Sequence, residues 1–270
     1  MKNFIKLTLC LIFLAAAQNF SAQNVKDEFL RREVKIGGET YGYRVYVPQN
    51  RDVKKKLPVM MFLHGNGANG TDNEKQVAGF EKVVFQNPKI FNFIIVFPQA
   101  RPNTFWIGEQ TEQASKALDQ TIAEFNGDSQ RLYLAGHSMG GYGTWTTAAL
   151  YPHKFAALVP ISGGIVPPFK LPPTAKLLFP KELIAIVESQ NPYDALAEKI
   201  GNTPVWDFHG AEDEAVPVTE SRNIIAALKK KGNKNVNYTE YPKTDHNGAL
   251  IKAFSEPKLY KWLAEQKLNK

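Results

Sequence analysis

A serine flanked by glycines lies near the middle of the chain, in the segment 136–140 (Gly-His-Ser-Met-Gly). The apolar residues 132–135 before it predict a buried strand, and the residues after it have helical composition. A serine at such a strand-to-helix turn stands at the end of the strand with its hydroxyl exposed. A side chain at Gly136 or Gly140 would collide with the neighbouring strand or helix. Ser138 is therefore the candidate nucleophile.

A serine hydroxyl is a weak nucleophile and needs a base, usually a histidine that a carboxylate orients. In an open parallel sheet, functional loops gather beyond the carboxyl ends of the strands, so both partners are expected just after strands. Asp213 follows a predicted strand over residues 205–209, and His246 follows one over residues 236–241. We predict Asp213 as the acid and His246 as the base.

The other histidines are weaker candidates for the base. His64 precedes a glycine-rich loop that it can shape through hydrogen bonds, and His137 lies inside the turn, facing away from the nucleophile. His153 follows a helix end and is interpreted as a surface residue, whereas His209 lies in a strand and is interpreted as a satisfied core histidine. The alternatives to the predicted acid are carboxylates near it or near the base: Asp207, Glu212, Glu214 and Asp245.

Acyl transfer also needs donors for the negative oxygen of the tetrahedral intermediate, each worth about 3–4 kcal/mol of barrier. The backbone N–H of Met139, directly after the nucleophile, is one expected donor. The second is expected from the glycine-rich loop after a predicted strand over residues 57–63, where Asn66 is favoured and Gly67 is the alternative. A plain turn is the other interpretation of that loop.

Two features bear on substrate choice. Prolines interrupt the apolar residues of segment 166–190, which leaves the end of a predicted strand. This segment is either a partial lid over Ser138 or a surface excursion packed by its own residues. Trp106 and Tyr142 are candidate substrate-binding residues that could equally belong to the core, and Trp145 is expected in the core.

Strands and helices alternate along the chain, which predicts an α/β fold with a mostly parallel sheet covered by helices on both faces. We count eight strands, the first two forming a hairpin around residues 36–39. Helices are predicted over 73–86, 111–125, 191–200, 219–231 and 249–266, the last broken at Pro257. No linker or internal repeat is visible, so residues 25–270 are expected to form one domain.

The first residues are predicted to be a cleavable signal peptide over residues 1–22. Lys2 and Lys6 precede an apolar run over residues 7–17, which is too short for a comfortable membrane span. Cleavage is expected after Ala22, with Ala17 as the alternative. Cys10, the only cysteine, lies inside this segment, and a lipid anchor at that position is disfavoured. A secreted or periplasmic protein without a stable membrane anchor or a disulfide is the expectation.

The composition argues against several other classes of protein. Apolar residues make up 43% and charged residues 22% of the 270 residues, as in globular proteins. Removing Lys2 and Lys6 with the signal peptide lowers the formal charge from +7 to +5. The remaining basic residues lack interleaved aromatic residues, so nucleic acid is not an expected partner. The scattered histidines predict no metal site, and no cofactor is expected, since 65–70 has only a weak dinucleotide-binding spacing.

Together these motifs resemble the α/β-hydrolase superfamily. The similarity covers residues 57–73, 131–145, 204–221 and 238–263, and thus most of the chain after Tyr41. Within the superfamily, the chain is similar to secreted bacterial esterases of the feruloyl/acetylxylan esterase and polyhydroxybutyrate-depolymerase-like group, which are often labelled prolyl-oligopeptidase-like or dienelactone-hydrolase-like.

The resemblance implies that Ser138 is the nucleophile, Asp213 the acid and His246 the base. In these relatives an aromatic residue often follows the histidine closely, whereas Asn247 and two small residues follow it here. Segment 166–190 also looks longer than the usual connection. The expected function is hydrolysis of a carboxylic ester, either of a small molecule or of an acyl group on plant polysaccharide. The alternatives are a serine peptidase of the prolyl-oligopeptidase type, whose propeller domain this chain is not expected to contain, and a catalytically silent binding module.

Overall fold

A computed structural model of the chain describes residues 29–49, 51–78, 80, 92–167 and 179–268. These residues form one eight-stranded sheet with the strand order β1-β2-β4-β3-β5-β6-β7-β8. The strands are β1 (Phe29–Ile36), β2 (Glu39–Tyr46), β3 (Leu57–Leu63), β4 (Ile94–Pro98), β5 (Gly127–His137), β6 (Ala157–Ile161), β7 (Val205–Gly210) and β8 (Val236–Tyr241).

The predicted α/β fold with a mostly parallel sheet is confirmed. Strand β2 pairs with both β1 and β4 in antiparallel orientation, and every other neighbouring pair is parallel. The first two strands form the predicted hairpin, which turns at Gly37 and Gly38, both of which have a positive φ. The parallel strands place their carboxyl ends, and the loops that follow them, at one edge of the sheet.

Helices pack on both faces of the sheet, as predicted. They are α1 (Glu109–Phe125), α2 (Met139–Leu150), α3 (Lys181–Val187), α4 (Pro192–Ile200), α5 (Thr219–Lys230), α6 (His246–Phe254) and α7 (Pro257–Glu265). Short 3-10 helices occupy Asn66–Ala68 and Lys75–Val77.

The hydrophobic core has two halves because side chains of a strand alternate between the faces of the sheet. In β3, Val59 and Met61 belong to the half that also contains Trp145 of α2 and residues of α1, α3, α4 and α5. Met60 belongs to the other half, with Phe254 of α6 and residues of α7. Both faces of the central strands are buried, which explains their continuous apolar sequences.

Several sequence predictions differ from the structure or lie outside the described residues. The helix predicted from residue 249 begins at His246, so this residue lies in the first turn of α6. Helix α3 lies within segment 166–190, where no helix was predicted. The predicted signal peptide over 1–22, with Cys10, lies outside the described residues, as do 168–178 and half of the helix predicted over 73–86. Among the described helices, none is long and apolar enough to cross a membrane.

Candidate active site

Ser138 occupies a strained turn between β5 and α2. Its φ of 58° lies in the left-handed region that residues with a side chain seldom adopt, and its N–H donates to the carbonyl of Ile161 in β6 at 3.0 Å. The flanking glycines allow this turn, because a Cβ at Gly136 would collide with the carbonyl of Gly140. A Cβ at Gly140 would collide with the carbonyl of Leu63 at the end of β3. The turn is therefore pressed against the sheet, as the sequence predicts.

Asp213 and His246 are in direct contact, although 33 positions separate them in the chain. Asp213 lies in the turn after β7, and His246 begins α6, after β8. The Nδ1 of His246 lies 2.7 Å from Oδ2 of Asp213, so Nδ1–H donates to the carboxylate. The Asp213 side chain is fully buried, whereas 18% of the His246 side chain is exposed. This orients the ring and leaves its Nε2 without a proton, as a general base requires.

Hydrogen bonds hold Asp213 as a carboxylate inside the protein. Its Oδ1 accepts from the backbone N–H groups of Ala215 and Val216, at 3.0 and 2.9 Å. Burial alone would raise the pKa of Asp213, but the donors of His209, His246 and Val216 lower that pKa well below its usual value. The buried carboxylate therefore stays charged beside the histidine, which favours the imidazolium that forms when a proton is taken up.

His137 contacts the base, a contact that the expectation of a ring facing away from the nucleophile did not include. Its Nε2 lies 2.9 Å from the carbonyl oxygen of His246, and the two rings are 4.7 Å apart. The carbonyl accepts, so Nε2 of His137 carries the hydrogen. Burial lowers the pKa of His137 to about 4, and a neutral ring follows at neutral pH. His137 is a residue of the site that sequence reasoning missed, although it lies inside the serine motif.

The loop after β3 lies against the nucleophile, and hydrogen bonds shape it as predicted for His64. The Nδ1 of His64 donates to the Gly65 carbonyl at 2.7 Å, and its Nε2 accepts from Ala100 N–H at 3.0 Å. Burial lowers the pKa of His64 to about 4, so it stays neutral in this role. Asn66 and Met139 each begin a helix, where a backbone N–H has no acceptor within its own helix. Both residues therefore remain the predicted oxyanion donors.

Two cavities meet at Ser138 and differ in chemistry. The first has a volume of about 210 Å³ and a mainly apolar lining that includes Phe105, Trp106, Tyr142, Phe179, Leu183 and Val216. The second has a volume of about 320 Å³ and a lining that includes His64, Lys75, Gln76, His137, His246 and Asn247. Asn66 lines both cavities, and Met139 lines the first. The nucleophile thus lies between an apolar and a more polar compartment.

The aromatic candidates occupy the first cavity in different ways. Trp106 is 1% exposed and donates from Nε1 to the carbonyl of His64 at 3.0 Å, so it is both core and cavity wall. Tyr142 is partly buried and donates to the Val166 carbonyl at 3.2 Å, which ties it to the start of segment 166–190. The described part of that segment contributes Phe179 to the cavity. Trp145 is fully buried in the core, as predicted.

The alternative candidates take other roles. His153 is exposed, and His209 is buried with both ring nitrogens engaged, as the sequence analysis expects. Asp245 caps α6 through the Gly248 N–H, and the alternative acids Glu212 and Glu214 are exposed. Within the described ranges, no three His, Cys, Asp or Glu side chains form a group that could hold a metal ion.

Comparison with known families agrees with this geometry. The model of the family described as "Prolyl oligopeptidase family" matches residues 104–268, which include Ser138, Asp213 and His246. The chain belongs to the prolyl oligopeptidase family. The sheet order and the serine turn of this chain are those of the α/β-hydrolase fold. The resemblance drawn from the sequence is thereby confirmed.

This member of the prolyl oligopeptidase family is similar to several known proteins and to solved structures. It is 27% identical over 215 residues, or 73% of its length, to an "Uncharacterized secreted protein" of Arthroderma benhamiae. It is 30% identical over 123 residues, or 44% of its length, to a bifunctional acetylxylan esterase/xylanase of Neocallimastix patriciarum. These matches span only 22% and 17% of the two relatives. The crystal structure of a thermostable esterase is 31% identical with a TM-score of 0.72, and the alignment covers 89% of this chain and 64% of that one.

Proposed function

We propose that this protein is an exported serine hydrolase that cleaves carboxylic esters through an acyl-enzyme intermediate. In this proposal Ser138 attacks the ester carbonyl and His246 takes its proton, while Asp213 orients His246. The N–H groups of Met139 and Asn66 bind the oxyanion. Water then hydrolyses the acyl-enzyme by the same proton transfers in reverse order.

One observation carries the proposal: His246 Nδ1 lies 2.7 Å from Asp213 Oδ2 in a cavity that His246 shares with Ser138. A fixed Asp-His pair beside a serine in a strained turn is the arrangement that activates a hydroxyl. A fold retained only for binding has no need for a strained serine at such a pair. The proposal of a catalytically silent module is therefore less well supported.

The two cavities indicate how an ester would lie. The base must deliver a proton to the departing alcohol, so the alcohol belongs on the side of His246. His246 lines the second, more polar cavity but not the first. The acyl group is then left for the apolar cavity beside Phe105, Trp106 and Tyr142. This orientation favours an apolar or aromatic acyl group joined to a polar alcohol.

We further propose an acyl or hydroxycinnamoyl ester of plant polysaccharide, or a small ester of the same chemistry, as the substrate. A sugar hydroxyl is a polar leaving group, and the apolar cavity offers more room than an acetyl group requires. One relative is named an acetylxylan esterase and another a secreted protein. These names and the predicted signal peptide over residues 1–22 support export to the periplasm or the exterior.

The alternative activity is cleavage of a prolyl peptide, which the family name suggests. Both reactions would use the same triad. An amine is a poorer leaving group than an alcohol, so peptide cleavage demands an extended substrate held in precise alignment with His246. The similarity to an esterase over 89% of the chain favours the ester.

An activity screen tests the proposal. The mature protein would be assayed with nitrophenyl acetate, methyl ferulate, acetylated xylan and a prolyl peptide. We expect turnover of esters and little of the peptide, and Ser138→Ala should abolish more than 99.9% of it, about 10³-fold or more. Ser255→Ala, at an exposed serine of the α6 end, is the matched control and should retain full activity. Full turnover by Ser138→Ala, or faster cleavage of the peptide than of any ester, would refute the proposal.

A further inference from the structure

A buried imidazole lies directly beneath the carboxylate of the Asp-His pair. His209 belongs to β7 and has no exposed side-chain surface. Its Nε2 is 3.0 Å from the carbonyl of Val216 and 3.3 Å from Oδ2 of Asp213. The Val216 carbonyl and the Asp213 carboxylate are both acceptors, so Nε2 carries the hydrogen. This N–H points to Val216, and its positive end also lies near Asp213.

The other ring nitrogen fixes the orientation of His209. Its Nδ1 lies 2.8 Å from the hydroxyl of Ser221, a buried residue of α5. The ring is therefore held at both nitrogens, between a helix and the turn that carries Asp213. Burying an imidazole costs free energy unless both nitrogens are satisfied, so these two contacts allow His209 to lie fully buried beside the Asp213 carboxylate.

The turn after β7 depends on the same contact. Val216 donates its N–H to Oδ1 of Asp213 and accepts from His209 through its carbonyl. His209 thus supports the carboxylate in two ways: it anchors the residue that donates to Oδ1, and it places an N–H dipole beside Oδ2. His246 occupies the remaining donor position on Oδ2.

We infer that His209 is a positioning residue for ester hydrolysis, which holds the Asp213 carboxylate in the orientation and charge state that His246 requires. This inference rests on the proposed function and extends it to a residue outside both cavities. The titratable groups that face or influence His209 are Asp207 and Asp213 from β7 and its turn, His137 from β5 and Glu240 from β8, while His246 contacts the same Asp213 carboxylate.

A pair of variants tests the inference. His209→Leu removes both polar contacts, and we expect it to lower kcat about 10- to 100-fold with KM nearly unchanged. Without the N–H dipole of His209, the negative charge of Asp213 is less compensated. The carboxylate then stabilises the protonated form of His246 more strongly. The acid limb of the kcat/KM profile should therefore move to higher pH. His209→Gln keeps an N–H donor near the position of Nε2 and should restore most of kcat and the original profile.

A double-mutant cycle shows whether His209 acts through Asp213. If it does, His209→Leu should cost little further activity in an Asp213→Asn background, because the carboxylate it supports is gone. Additive losses in the cycle, or equal losses in His209→Leu and His209→Gln with unchanged pH profiles, would overturn the inference. If His209→Leu does not fold, Ser221→Ala, which frees the ring at Nδ1, should give a smaller loss in the same direction.

Proton NMR separates this inference from the proposed function. The Nδ1 proton of His246 should give a strongly downfield resonance whether or not the tested esters are substrates. We expect that resonance to shift in His209→Leu and to stay in place in His209→Gln. An unshifted resonance in His209→Leu would contradict the positioning role, whereas inactivity of the wild type on every ester with a shifted resonance would contradict only the proposed function.

Discussion

The Asp213 carboxylate is the most strongly supported side chain of the candidate site. It is fully buried and accepts hydrogen bonds from Ala215, Val216 and His246. A buried charge with this many donors keeps its negative charge over the pH range in which the histidine works. Its role is to hold the correct tautomer of His246, because the bonded Nδ1 leaves Nε2 free to accept a proton.

Two substitutions in this pair should differ in severity. His246→Ala removes the base, and we expect ester turnover to fall about 10⁵-fold or more. Asp213→Asn leaves the imidazole present but favours the wrong tautomer, so a fall of about 10³- to 10⁴-fold is expected. Initial rates on nitrophenyl acetate, with melting temperatures as the control for folding, provide the measurement. A milder effect for His246→Ala than for Asp213→Asn would exclude His246 as the base.

Asp207 is a second buried carboxyl with a different environment. Within the described part of the chain, neither of its oxygens has a hydrogen-bond partner. Burial raises its pKa from 3.8 to about 7, and the nearby His209 offsets only part of this effect. The folded protein therefore binds the Asp207 proton more tightly than the unfolded chain does.

The sign of this linkage gives a prediction for stability. The free energy of unfolding should fall as pH rises from about 4 through 7, by up to about 4 kcal/mol from this one group. Asp207→Asn cannot ionise, so its melting temperature should exceed that of the wild type at pH 8 and match it near pH 4. Thermal unfolding at both pH values provides the measurement. A variant that is less stable than the wild type at pH 8 would indicate that the ionised Asp207 is stabilised by His209.

At the scale of elements, the turn between β5 and α2 packs closely against the ends of two neighbouring strands, β3 and β6. Gly140 lies against the end of β3, and Gly141 lies against Gly163 after β6. These contacts involve backbone atoms, which cannot move aside as the end of a flexible side chain can. The position of Ser138 is therefore set by the packing of the sheet ends.

A single methyl group at this contact should be costly. In Gly140→Ala the new Cβ would collide with the Leu63 carbonyl, so we expect a loss of about 2 kcal/mol or more in unfolding free energy, or no folded protein. Gly67→Ala is the matched control, because a Cβ there meets nothing within 4 Å. Chemical denaturation of both variants provides the measurement. Equal stability of the two would show that the turn can shift away from β3.

At the scale of the whole molecule, the sequence predicts the sheet better than the contacts across it. Strands β3 and β8 match the predicted bounds, since a strand in a covered sheet has a distinct apolar or alternating sequence. The start of α6 was placed too late, because its first residues, His-Asn-Gly, are poor helix formers and only the Asp245 cap signals the start. Helix α3 was not predicted because the prolines that precede it are typical of irregular structure.

The predicted triad residues follow strands, and the positions of those strands along the chain can be read from the pattern of apolar residues. The contact between His137 and His246 joins residues 109 positions apart on β5 and α6, and no local pattern encodes such a pair. The cavities are equally hidden, because their walls come from the ends of many elements. Which side of Ser138 is apolar could therefore be learned only from the folded chain.

The placement of the two cavities on either side of Ser138 leads to a kinetic prediction. After acylation the alcohol has left, while the acyl group stays bound to the serine until water releases it. A side chain of the acyl cavity can therefore influence both acylation and deacylation. A side chain that contacts only the alcohol, and takes no part in the proton transfers of His246, can influence acylation alone.

Phe179→Ala and Lys75→Ala separate these cases, since Phe179 lines the apolar cavity and Lys75 lines the more polar one. We expect Phe179→Ala to change the deacylation rate with methyl ferulate and to spare nitrophenyl acetate, whose acetyl group scarcely enters the cavity. Lys75→Ala should change kcat/KM among esters with polar alcohols and leave the deacylation rate of any shared acyl group unchanged. Stopped-flow bursts with ester series that vary one side at a time give both rates. A change in deacylation by Lys75→Ala, with none by Phe179→Ala, would reverse the orientation of the ester and place the acyl group beside His246.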